Sequence, residues 1–174
     1  MTTYVALLRG INLGAKRRVA MADLRAWLAD LGYTDVRTLL QSGNAVFGTD
    51  KDPDTVRAEL ERRLADGAGF PIDCVVRTAD ELRAVAAADP FGHVADDPSR
   101  YLVSFLRGRV VPPDHAPDAF APELFHLGER EVYFWAPGGV RNSKVLAAFP
   151  DRKGEVATVR NWNTVIKLLA ITQE

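Results

Sequence analysis

A chain of 174 residues with 47% hydrophobic content can bury a core, and its length fits one larger domain or two of about 80 residues each. A formal net charge of -1 and a pI near 6.3 exclude broad coating of nucleic acid or anionic membrane, so any anion site must be local. The single cysteine, Cys74, has no partner for an internal disulfide, and no apolar run approaches the roughly 18 residues of a membrane span.

Residues 3–9 (TYVALLR) read as a short strand, and 21–31 place Met21, Leu24, Leu28 and Leu31 on one helical face, stopped by Gly32. Residues 36–40 and 45–47 read as two strands, joined by Gln41-Ser42-Gly43-Asn44, which has the composition of a hairpin turn. Asp52 as N-cap and Pro53 in the first turn open the next helix, with Val56, Leu60 and Leu64 on one stripe. A strand follows over 71–77, where the run PIDCVV marks Cys74 as a small, inert core residue. Thr78 and Glu81 then have the spacing of a capping box, for a helix that must end before Pro90.

Residues 89–99 (DPFGHVADDPS) break the periodic pattern and are taken as a linker between halves 1–88 and 100–174. Beyond it the order restarts: a strand at 101–107, a short helix around 117–121, strands at 123–127 and 131–136, a helix at 142–149, a weakly marked strand near 155–158 and a helix over 161–172. YVALLRG at 4–10 and YLVSFLRG at 101–108 both end in Leu-Arg-Gly. The expected fold class is therefore α+β, with two pseudo-duplicated ferredoxin-like (βαββαβ) halves.

That topology, with strand order 4-1-3-2, puts the first strand–helix loop and the hairpin at one end. In the first half it gathers Arg9, Asn12, Lys16, Arg17 and Arg18 with Gln41, Ser42 and Asn44. In the second half the opposite end collects Arg141, Asn142, Ser143 and Lys144 at one helix start and Thr158, Arg160, Asn161 and Asn163 at another. The first half carries Asp50, Asp52, Asp54, Asp80 and Glu81 at its equivalent end, as helix dipoles favour. The cations of the second half run against that rule, and a bound anion would offset the electrostatic cost. The expected ligand is a small phosphate- or carboxylate-bearing molecule in a cleft between the halves, held by guanidinium forks, helix N–H groups and short amides.

The stretches LLRGINLG (7–14), LLQSGNAVF (39–47), DPFG (89–92) and TVRNWNTV (158–165) resemble the bacterial family of the domain of unknown function numbered 1697. The resemblance implies a small bacterial cytosolic protein with paired α/β subdomains, and it brings no established activity. The chain departs from the family pattern at Ala15, where glycine is usual, at Ala20, where proline is usual, and at Asp89, often asparagine. Ala15 would stiffen the loop, and none of the three is a proposed ligand contact.

Other motifs are absent. Gly10 and Gly14 lack dinucleotide-fingerprint spacing, and Gly138-Gly139 before Ser143-Lys144 lacks that of a phosphate loop. His93, His115 and His126 share no ligand spacing, so neither a metal nor a cofactor is expected. No pattern sets a base against Ser42 or Ser143, which leaves enzymatic activity open. Single-stranded RNA laid across a ferredoxin-like sheet is the alternative partner. Tyr133-Phe134-Trp135 favours it, whereas the missing R-G-F-G-F-V signature and the slightly acidic charge rank it second. Trp27, Trp135 and Trp162 read as core, Trp162 through its helical spacing with Val165, Ile166 and Leu169. The expected location is cytoplasmic, with no membrane partner; the oligomeric state is not legible.

Overall fold

The computed structural model describes all of residues 1–174. The elements in order are β1 (Thr2–Leu8), α1 (Met21–Asp30), β2 (Thr34–Leu39), β3 (Asn44–Thr49), α2 (Pro53–Ala68), β4 (Cys74–Thr78) and α3 (Ala79–Ala88). They continue with β5 (Tyr101–Leu106), β6 (Leu124–Leu127), β7 (Glu131–Trp135), α4 (Lys144–Ala147), β8 (Ala157–Asn161) and α5 (Trp162–Thr172). The strands form two antiparallel four-stranded sheets, ordered β2-β3-β1-β4 and β6-β7-β5-β8. The chain divides into two compact units, Met1–Ala84 with Leu168–Glu174, and Val85–Lys167. No helix is long and apolar enough to cross a membrane.

In the first unit the strand period of two sends Tyr4, Ala6 and Leu8 of β1 and Ala45 and Phe47 of β3 into a core with Leu24 and Leu28 of α1 and Val56, Leu60 and Leu64 of α2. The intervening Val5, Leu7 and Val46 are buried as well, so the central strands are covered on both faces. Cys74 joins this core and is fully buried. Local signals placed the helix starts correctly. Asp52 accepts from the Thr55 N–H at 3.0 Å, and this backbone bond, reinforced by the Thr55 hydroxyl, holds its carboxyl below the usual range. Thr78 and Glu81 form the reciprocal capping box, at 3.2 and 3.1 Å.

The second unit departs from expectation in three places. No helix forms around 117–121. Successive turns occupy 117–122 instead, closed by bonds such as Ala119 N–H to Ala116 O and Glu123 N–H to Phe120 O. Pro117 and Pro122 lack amide hydrogens, and Pro122 disfavours a helical residue before it. The helix expected over 142–149 contracts to the four residues of α4, whose last turn tightens at Ala148 just before Pro150. The last strand lies at Ala157–Asn161 rather than near 155–158, which makes Arg160 a strand residue paired with Val103.

Trp135 is buried, as expected, but Trp27 and Trp162 are only partly so. Trp162 stacks on Tyr101 with ring centroids 4.2 Å apart and planes 2° from parallel. It covers a buried tyrosine rather than filling the core. Residues 89–100 contain no helix or strand, yet they are held in place: the Tyr101 hydroxyl donates to Asp89 at 2.8 Å and accepts from the Phe91 N–H at 3.3 Å. Burial, and then the Asp89 bond, push the Tyr101 hydroxyl above the usual phenol range.

Candidate functional site

The first strand–helix loop and the hairpin do meet. Leu8 N–H donates to Gly43 O at 2.9 Å, and the Asn12 side chain bridges loop and turn. Its amide nitrogen donates to Val19 O at 2.8 Å and to Gln41 O at 2.7 Å, while its oxygen accepts from Val19 N–H at 2.8 Å. Asn12 itself sits at φ 55°, a left-handed conformation that asparagine tolerates better than most residues. Arg17, at φ 56°, works the same way: its guanidinium donates to Gly10 O at 2.8 Å and to Pro71 O at 3.0 Å and lies 4.7 Å over the Phe70 ring. Both side chains hold the loop. The sequence could not separate this role from ligand contact, because an amide or guanidinium in a loop reads equally well as either.

Lys16, between them, is exposed and makes no ion pair. Arg18 is exposed too, bonded only to Gly14 O at 3.0 Å. Arg9 is half-buried, and its N–H donates to the Asp73 carbonyl at 2.9 Å, which brings one acid to this otherwise basic end. Gln41 and Ser42 are exposed on the turn. Asn44 is fully buried, its amide donating to Leu39 O at 2.8 Å and to the Ser42 hydroxyl at 3.1 Å, so it shapes the hairpin from within.

In the second unit the anion position at the start of α4 is filled by the protein itself. Glu123 accepts from the Ser143 hydroxyl, from Lys144 N–H at 2.8 Å and from Val145 N–H at 3.4 Å, while Ser143 caps Leu146 N–H at 3.2 Å. An internal carboxylate thus answers the electrostatic misfit noted in the sequence. It acts from 20 residues away, and no local pattern announces it. Replacing Glu123 with Ala is expected to cost about 1 to 2 kcal/mol, the scale of a lost charged cap, read as a fall in melting temperature. An unchanged temperature would show that the cap contributes nothing.

The remaining candidates divide by exposure. Arg141, Lys144 and Asn163 are exposed. Arg160 is only 7% exposed, its guanidinium donating to the Thr158 hydroxyl at 2.7 Å and to Val159 O at 3.0 Å, so it is closed to a ligand arriving from solvent. Asn161 caps α5, its oxygen accepting from Thr164 N–H at 3.0 Å. Tyr133 and Trp135, which the RNA alternative needs on an open sheet, are 3% and 4% exposed, and the Tyr133 hydroxyl donates to Val85 O at 3.0 Å. A groove of about 460 Å³ runs along the exposed side of α2 between Thr55 and Asp66 and shares no residue with these candidates.

Two four-stranded antiparallel sheets and five helices define a mixed α+β protein. The profile of the family described as "Protein of unknown function (DUF1697)" matches residues 1–133, and the chain belongs to that family. The fold is shared with the conserved bacterial protein SP0830 from Streptococcus pneumoniae, at a TM-score of 0.76 and 23% identity, over 100% of this chain and 99% of that one. No curated protein matches the chain in sequence.

Proposed function

We propose that the chain binds a small phosphate- or carboxylate-bearing ligand at the loop–hairpin end of its first unit, with Lys16 as the principal cation and Gln41 and Ser42 as polar contacts. One observation carries this reading: Asn12 and Arg17 hold the loop in left-handed backbone conformations, leaving Lys16 between them exposed and without a carboxylate. Strain of this kind persists only where surrounding contacts over-determine it, and it concentrates at binding sites. A loop already ordered loses little entropy on binding. Arg9 and Arg18 add positive potential at the same end.

The same proposal takes the two units as copies of one ferredoxin-like plan. Adding four to each strand number converts β2-β3-β1-β4 into β6-β7-β5-β8, and buried Arg77 and Arg160 hold corresponding places opposite Val5 and Val103. In the second copy the first helix has given way to turns and Glu123 satisfies α4, so the ligand is assigned to the first copy alone.

Calorimetric titration with inorganic phosphate tests the site. Lys16→Ala is expected to weaken binding by roughly 1.5 to 3 kcal/mol, the scale of a charged hydrogen bond, with no fall in the melting temperature of the free protein. Phosphate affinity unchanged in that variant would refute the assignment.

A further inference from the structure

We infer that the ligand at this end is amphiphilic, joining its anionic group to an apolar or aromatic body that rests on Leu13 and Leu40; this builds on the anion site proposed above. Most leucines of the first unit are enclosed: Leu7, Leu8, Leu24, Leu28, Leu60 and Leu64 are each no more than 1% exposed, and Leu31, Leu39 and Leu169 are half-buried. Leu13 is 85% exposed and Leu40 49%. The two exposed leucines belong to one place. Leu13 follows Asn12 and Leu40 precedes Gln41, and the Asn12 amide donates to Gln41 O at 2.7 Å.

Leu40 also has φ 61°, a region that asparagine or glycine enters far more readily than leucine. A turn residue selected only to reverse the chain would be neither apolar nor strained here. Leu13 likewise contributes nothing to the core, while the loop beneath it is fixed by the bonds of Asn12 and Arg17. Both leucines are therefore presented to solvent on ordered backbone, Leu13 in the loop that carries Lys16 and Arg18 and Leu40 in the turn to which Asn12 ties that loop. Inorganic phosphate would meet the cations and leave the leucines in water. A ligand with an attached apolar body removes that surface from water as well.

The test compares two matched pairs of probes by calorimetry: inorganic phosphate with phenyl phosphate, and acetate with benzoate. In at least one pair the aromatic member is expected to bind about tenfold more tightly, the scale of burying a ring on two side chains. Leu13→Ser is expected to remove most of that preference while leaving the affinity for the small anion within about twofold, because it leaves the charged contacts in place. Lys16→Ala should weaken both members of the pair alike. Leu40→Asn, which suits the left-handed turn, should keep or raise the melting temperature while it lowers the aromatic preference. Equal binding within each pair, or a preference that survives both leucine substitutions, overturns the amphiphilic ligand and leaves the anion site standing. Failure of all four probes to bind removes both.

Discussion

Asn12→Ala is expected to lower the stability of the first unit by about 3 kcal/mol. The substitution removes three side-chain hydrogen bonds, to Val19 O, Gln41 O and Val19 N–H, each contributing roughly 0.5 to 1.5 kcal/mol. It also puts alanine at φ 55°, which adds about 1 kcal/mol of backbone strain. For a chain of this size the melting temperature should fall by roughly 6 to 12 °C. Asn12→Gly separates the two contributions: it relieves the strain, so it should recover about 1 kcal/mol while the hydrogen bonds stay lost. If Asn12→Ala melts with the parent protein, the side chain is not the staple its bonds describe.

Gly43→Ala should be nearly as damaging, at about 3 kcal/mol, for a different reason. Gly43 has φ 90°, and a methyl group there would lie 2.8 Å from Ile11 Cδ1 and 2.9 Å from Leu8 Cβ. Leu8 Cβ is fixed to β1 and cannot withdraw without disturbing the Leu8 N–H bond to Gly43 O, and the buried Ile11 side chain would have to turn aside within the core. The effect is read from the denaturant midpoint at constant slope. Gly14→Ala is the internal control, since its added methyl meets nothing within 4 Å. A loss below about 1 kcal/mol in Gly43→Ala would mean that hairpin and loop are not packed as tightly as these distances require.

What the sequence makes legible is local or periodic. The stripe Val56, Leu60 and Leu64, the Asp52 cap and the Thr78–Glu81 box are short-range signals, and each appears as expected. The meeting of loop and hairpin was also legible, because strand order alone dictates it. Interactions between distant residues were not. Glu123 caps α4 across 20 residues, and its absence from any local pattern made Ser143 and Lys144 resemble an open anion site. Within TVRNWNTV, Asn161 marks the helix start but nothing local shows that the strand runs up to it, so the extension of β8 through Arg160 and Asn161, which closes Arg160 to solvent, depends on pairing with β5. Trp162 shows the limit of periodicity: helical spacing aims it inward, but its depth is set by Tyr101, against which it lies flat.

The most direct test of the anion site is a phosphate titration followed residue by residue through backbone amide chemical shifts. The expected result is saturable shifts confined to residues 10–18 and 40–43, absent in Lys16→Ala, with the amides of Lys144 and Val145 unmoved because Glu123 already occupies them. Saturable shifts centred on 141–145, or none at 10–18 at any phosphate concentration, would contradict it.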